Sequence, residues 1–323
     1  MNTLPTLFHL YNRQFFGGQP APPLAVAGCR TVHEKQDLLN ANGVVVHLPS
    51  LLATHPAQEL FKLRKLVSPR QIWIAESMES AENYPQLEDP DFMAMFDIEM
   101  TYRQSSDIWI PYIPGNLANR YRDVEVTARK KTCCAFVSSK FDTSDRRSYM
   151  KALMQELEVH SYGKYLRNRR VFFDRGEKTK LRVMRKYSYT LAFENSISPD
   201  YVTEKFYQPL MTGTVPIYLG APNIDEFAPG KNCFVNVRDF NDPAELAGFV
   251  RQADPASFQT WRTRELNARY LRKLERIQKP WQQVLGGLLA ARLSANKPVL
   301  NAGKPHHGAK QPSGPRDDAV SQS

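Results

Sequence analysis

Apolar residues in this chain gather in short runs between polar and proline-containing connections. In residues 1–128 the runs Gly43–Leu48 and Gln71–Ala75 read as strands of an α/β layer with irregular joins. From 129 to 280 strands and helices alternate more regularly. Cys133–Ser139 is a short apolar run, and a helical periodicity follows from about Asp145 to Leu157. Tyr189–Phe193 (YTLAF) predicts a buried strand. A helix should open near Ser198-Pro199, because serine caps well and proline suits the first helical position. It should stop before Gly213, leaving Val215–Leu219 (VPIYL) as the next strand. Strand, helix and strand in so few residues form a βαβ unit, which implies a parallel sheet. Pro209 falls inside the predicted helix and should kink it or end it early.

Two further segments complete the division. Residues 281–295, with Trp281–Leu293 (WQQVLGGLLAARL), predict a closing helix packed on the first half, in preference to a helix lying at a membrane interface. Residues 296–323 are mostly Pro, Gly, Ser, Lys and other polar types, the composition of a disordered tail.

The 323 residues suffice for two domains with buried cores, 1–128 and 129–280. Lys and Arg number 43 against 33 Asp and Glu, a formal charge of +10 that suits an anionic partner such as a nucleoside diphosphate, a nucleic acid or a membrane surface. Ten of the cations lie between Lys164 and Lys186, opposed there by Asp174 and Glu177. Most of that stretch should be solvated surface, with a share available to a nucleotide or to an anionic membrane. Cys29, Cys133, Cys134 and Cys233 form neither a C-x-x-C pair nor a disulfide framework. Asn12 and Arg13 interrupt the apolar opening, so no secretory signal is predicted, and no apolar run reaches the ~20 residues of a membrane span. The expected location is the cytoplasm, with peripheral attachment to the inner face of a membrane as an option.

The densest chemistry is in Phe193–Lys205 (FENSISPDYVTEK), which runs from a strand end through a loop into a helix. Ligands of open α/β sheets bind at that place, and a helix N-terminus offers amides to phosphate. Glu194, Asn195, Tyr201, Glu204 and Lys205 supply acceptors, donors, a stacking face and a cation there. This run, followed by GTVPIYLGAPN (Gly213–Asn223) and FAPGKNCFVNVRDF (Phe227–Phe240), resembles the donor-binding signature of the α1,3-fucosyltransferases, glycosyltransferase family 10. WIAESMES (Trp73–Ser80), MTYRQSSDIWIPY (Met100–Tyr112), VSSKFDTSDRR (Val137–Arg147) and HSYGK (His160–Lys164) appear in the family's order. The resemblance covers roughly residues 70–260 and is dense in 187–240.

The resemblance implies an α/β GT-B fold: two Rossmann-like domains facing a cleft, with GDP-fucose held mainly by the second. It assigns donor binding to Asn195, Tyr201, Glu204, Lys205 and Arg146, with Arg147 next in register for the phosphate-binding arginine. The catalytic base falls on Glu79, with Glu76 as the alternative. The implied reaction is inverting transfer of L-fucose to a glycan or glycolipid hydroxyl, as an α1,3 linkage to N-acetylglucosamine or glucose. Such a displacement needs a carboxylate for the acceptor proton and cations for the leaving diphosphate. The chain is expected to lack the membrane anchor and C-terminal disulfides of animal members, and it resembles a soluble bacterial-type one.

No cofactor is obligatory on this reading, and a divalent cation would at most stimulate. Asp89-Pro90-Asp91 is formally a D-x-D pair, but its surroundings read as an acidic loop. His9, His33, His47 and His55 are scattered along the sequence, and His160 reads as structural. Two rivals stand beside this reading: a GT-B enzyme using another sugar nucleotide, and a basic nucleic-acid-binding protein using Lys164–Phe173 (KYLRNRRVFF). The second lacks any recognisable nucleic-acid module, so no nucleic-acid partner is expected.

Overall fold

The structure is a computed structural model, and it describes residues 4–12, 24–32, 35–114 and 130–295. The predicted tail 296–323 and the predicted boundary at 128/129 lie outside the described residues.

Two parallel sheets organise the chain. The first has the order β2-β1-β3-β4-β5-β6, built from β1 (Thr6–Leu10), β2 (Arg30–Val32), β3 (Gly43–His47), β4 (Ile72–Ser77), β5 (Ile98–Thr101) and β6 (Ile108–Trp109). Its helices are α1 (Leu48–Leu52), α2 (Ala57–Leu66) and α3 (Pro90–Met93). Successive side chains of a strand point to opposite faces, and here both faces are covered. Val44, Val46, Trp73 and Ala75 enter one core with Phe8, Leu60 and Phe92. Val45, Ile72 and Ile74 enter the other with Leu7 and Ile98.

The second sheet has the order β11-β10-β9-β7-β8. It comprises β7 (Lys130–Ala135), β8 (Val159–Ser161), β9 (Tyr187–Phe193), β10 (Val215–Leu219) and β11 (Val235–Asn236). Its helices are α4 (Arg146–Glu156), α5 (Glu177–Met184), α6 (Glu204–Thr212) and α7 (Pro243–Gln252). β9 and β10 pair in parallel with Tyr189 opposite Val215, so the βαβ unit forms as the pattern predicts.

Its helix does not open at Ser198-Pro199. Asp200 takes a left-handed φ of +66, which a helix cannot continue through, and α6 begins after Thr203. Nor does Pro209 stop it, since α6 runs on to Thr212. The proline forfeits one intrahelical bond, to the Lys205 carbonyl, while every side chain from Phe206 to Thr212 is buried. Packing outweighs that single lost bond.

α8 (Ala268–Gln278) and α9 (Trp281–Ser294) end the described chain. Leu285 and Leu289 of α9 are fully buried against Leu7, Val45 and Ile72, so this helix closes onto the first sheet. Gly286 permits it, since a Cβ there would run into the Ala27 carbonyl. Leu289→Ala should therefore lower unfolding free energy by about 2–5 kcal/mol, as core truncations do. Urea denaturation checks this, and a loss below about 1 kcal/mol would contradict the packing described.

Candidate functional site

Glu194 follows the last residue of β9 and is completely buried. Its Oε1 accepts the Thr203 amide at 2.8 Å and its Oε2 the Thr203 hydroxyl at 2.7 Å. The Lys205 ammonium lies 3.3 Å from Oε2 and 3.2 Å from Glu204. Burial pushes the Glu194 carboxyl up, opposed by Lys205. Burial also acts to lower Lys205, but Glu194 and Glu204 outweigh it and hold its pKa above the ordinary 10.5. For Glu204 burial acts upward, and Lys205 and Lys180 prevail to bring it down. Gly220 at the end of β10 leaves room for this arrangement, because a Cβ there would stand 2.6 Å from Glu194 Cγ.

The Thr203 hydroxyl also accepts the Lys205 amide at 3.3 Å, so that first-turn amide of α6 is already bonded. The helix end is less open to phosphate than the sequence implies, and positive potential here rests on side chains.

Between Glu194 and α6 the chain crosses to the first half. Asp200 is held in its left-handed conformation by Asn223, whose Oδ1 takes the Asp200 amide at 3.0 Å. Gln104, in the β5–β6 loop, donates to the Asp200 carboxylate from its amide at 2.9 Å and its side chain at 2.6 Å. The next residue, Tyr201, is buried with its ring edge-on to Tyr102 and Tyr112. Its hydroxyl donates to Glu79 Oε2 at 3.2 Å. Glu79 lies just past the carboxyl end of β4, so the ends of the two sheets face each other here.

Of the two candidate bases, only Glu79 meets the donor motif. Glu76 lies within β4, and its Oε2 is 3.4 Å from His9 Nε2. His47, opposite Glu76 in the sheet, has its pKa lowered by burial despite the nearby Glu76 carboxylate. The histidines that look scattered in sequence thus converge in part: His9 and His47 flank Glu76 at the carboxyl ends of β1 and β3.

Arg146 is 1% exposed. Its Nη1 donates to the Phe193 carbonyl and its Nη2 to that of Phe141, both at 3.0 Å, while Nε sits 3.5 Å from Asp142. Arg147 donates to Ser139 and Lys140 carbonyls and stacks 3.6 Å over Tyr165. Both arginines brace the 139–142 loop in this structure. Asn195 Oδ1 is buried and has no hydrogen-bond partner among the described residues. An orphan of that kind costs about 1–3 kcal/mol.

Sequence reasoning left out two members of the cluster. Glu194 stood in the motif, but nothing local marked it as the acceptor for Thr203 and Lys205. Lys180 lay in the basic stretch read as solvated surface. It projects from α5, which packs on α6, near the ring of Phe136 and within electrostatic reach of Glu204, Lys205 and Glu194. The Asp89–Asp91 pair has a structural use: Asp89 Oδ1 caps α3 by accepting the Asp91 and Phe92 amides at 2.9 and 3.2 Å. Among the described residues no group of three His, Cys, Asp or Glu could hold a metal ion.

Two parallel sheets with opposed carboxyl ends make a GT-B glycosyltransferase fold. The family model "glycosyltransferase family 10 (fucosyltransferase) C-term" matches residues 126–281, and "fucosyltransferase, N-terminal" matches residues 6–113. The chain belongs to glycosyltransferase family 10. It is similar to alpha-(1,3)-fucosyltransferase B of Drosophila melanogaster, with 33% identity over 62% of this chain and 50% of that protein. Similarity to GDP-fucose protein O-fucosyltransferase 3 of Xenopus tropicalis is 31% over 60% of this chain and 45% of that one. The chain thus spans about half the length of these relatives. A crystal structure of an alpha1,3-fucosyltransferase with GDP-fucose shares the fold, at TM-score 0.55 and 14% identity over 93% of both chains.

The charge cluster predicts a pH dependence. With its folded pKa raised, Lys205 contributes stability that is full below its ordinary value of 10.5 and is lost as pH rises through the folded value. The difference in melting temperature between wild type and Lys205→Met should be constant from neutral pH to about pH 9 and shrink above pH 10. A difference that grows with alkalinity would contradict the pairing.

Proposed function

We propose that this protein is an inverting fucosyltransferase that moves L-fucose from GDP-fucose to a glycan or glycolipid hydroxyl, forming an α1,3 linkage to N-acetylglucosamine or glucose. One observation carries the reading: Glu79 of the first half meets Tyr201 of the donor motif beside the Glu194–Lys205–Glu204 cluster. The names of the related proteins supply the sugar and the linkage.

On this reading the two halves divide the chemistry. Glu79 accepts the proton of the attacking hydroxyl, and Tyr201 holds that carboxylate in place. Lys205 and Lys180 oppose the charge developing on the leaving diphosphate, with Arg146 setting the adjacent strand end. Asn195 Oδ1 is available to a donor hydroxyl of the sugar nucleotide. The transfer proceeds without an obligatory metal, because GDP leaves whole and protein cations meet its charge.

The proposed location is cytoplasmic, peripheral to the inner face of a membrane. One observation supports the peripheral attachment. Phe172 and Phe173 are 96% and 81% exposed in a loop that also bears Arg169, Arg170 and Arg175, a composition suited to anionic lipid.

Glu79→Gln should reduce turnover by roughly 10²–10⁴ while GDP-fucose affinity, measured by calorimetry, stays near wild type. Glu76→Gln should retain most activity. A fully active Glu79→Gln would remove the base assignment. Thermal stabilisation by GDP and not UDP separates this donor from other sugar nucleotides, since bound ligand raises stability by mass action.

Extensive chelation should leave at least partial transferase activity. Complete loss restored by added divalent cation would overturn the metal-independent reading.

A further inference from the structure

A second polar recess lies at the seam of the two halves, separate from the Glu79–Tyr201 contact. It has a volume of about 350 Å³ and is walled by the β5–β6 loop, Trp109, Glu226 and one face of α8. That face presents Arg269, Arg272, Lys273 and Arg276, spaced so that a helix places them side by side. Like charges so placed repel one another; among the described residues lining the recess Glu226 is the one carboxylate, and Asp200 acts on Lys273 and Arg276 from beyond it.

The cations differ in how they are held. Lys273 is almost buried, its ammonium donating to Gln104 Oε1 and lying 3.3 Å from Glu226 and 4.5 Å over the Phe227 ring. The Arg276 guanidinium lies 5.0 Å over Trp109 and donates to the Gln104 carbonyl at 2.8 Å. The Arg269 and Arg272 side chains line the same recess and make no hydrogen bond or ion pair among the described residues. Burial lowers the pKa of both Lys273 and Arg276 despite nearby carboxylates. Four cations of the recess thus face the lining carboxylate of Glu226 and, from behind Gln104, that of Asp200, which leaves positive charge in excess.

We infer that this recess is an oxyanion-binding site, which takes a phosphate or carboxylate group through Arg269 and Arg272. Guanidinium groups grip such oxygens in pairs, and two preset cations behind them deepen the potential. The volume exceeds what a bare phosphate needs and falls in the small-ligand range, so the oxyanion has room to arrive attached to a sugar. Gln104 links the site to the donor loop, because it bonds both Lys273 and Asp200, the neighbour of Tyr201. The recess stands without the proposed function, but the choice of GDP and of glycans in its test rests on that reading.

The test uses the full chain with saturating GDP, which keeps the donor site filled, and titrates inorganic phosphate by calorimetry at fixed ionic strength. Saturable binding is expected. Arg269→Gln and Arg272→Gln should each weaken it about tenfold without changing the melting temperature of the phosphate-free protein. Arg272→Lys should recover part of the loss, since charge returns without the planar fork. Absence of saturable binding, or a double Gln variant that binds like wild type, overturns the site. So does phosphate binding that Lys205→Ala abolishes and Arg272→Gln does not, which would place the anion at the donor cluster. With binding established, displacement of phosphate by an acidic acceptor glycan, but not by a neutral one, shows the oxyanion to be carried on substrate. Phosphate that stays bound in both cases shows a free effector.

Discussion

A carboxylate with no exposure to solvent must be paired, and Glu194 is paired on both oxygens with the entrance to a single helix. That constraint shapes the second half of the molecule. The Thr203 amide and hydroxyl and the Lys205 ammonium are drawn to the end of β9, so α6 starts at Glu204 and not earlier. The residues between, 195–202, become a loop whose ends are fixed by one side chain. A loop closed that way has few conformations left, and the left-handed turn at Asp200 is affordable because Asn223 and Gln104 hold it from two sides.

Those bonds also join the halves. Gln104 and Tyr102 belong to the first sheet's β5–β6 loop, while Asp200 and Ser198 belong to the donor loop. Trp109 of β6 enters the core formed by α6, β10 and α8, so the seam is partly apolar and continuous with the second domain's interior. The Glu79–Tyr201 contact therefore sits within a set of bonds that limits how far the two sheet ends can separate. On the proposed function, in which base and leaving group come from different halves, that registration matters because a small misplacement costs much of the rate.

Patterns of two kinds were legible in the sequence. Short apolar runs located the strands, and buried parallel strands such as Val44–Val46 and Leu191–Phe193 announced themselves by hydrophobicity on both faces. Motif order singled out the 193–205 segment and Glu79, which the structure brings into contact through Tyr201. The start of α6 was not legible, because Ser198-Pro199 satisfies local capping rules while Asp200 obeys bonds to Gln104 and Asn223, residues distant in sequence. Pro209 failed as a helix stop for a similar reason, since its local cost is set against burial of the whole helix. Lys180 and the His9–Glu76–His47 group were invisible because their neighbours come from other strands and helices. The roles of Arg146 and Arg147 are blurred by the same effect: spacing marks an arginine pair, but only the fold shows their guanidinium groups turned to carbonyls of the 139–142 loop and β9.

Two carboxylates three residues apart acquire different chemistry from their surroundings alone. Glu76 remains within the strand, opposite His47 and 3.4 Å from His9 Nε2. Glu79 has left the strand. Its backbone amide and carbonyl are both tied to the Ser77 hydroxyl, at 3.1 Å each, and this small turn swings its side chain toward the opposing half. There, among the described residues, its carboxylate accepts from the Tyr201 hydroxyl, a neutral donor that orients Oε2. On the function proposed above, a general base needs a fixed position facing the opposing half, and the turn after β4 gives Glu79 such a position whereas Glu76 stays in the strand.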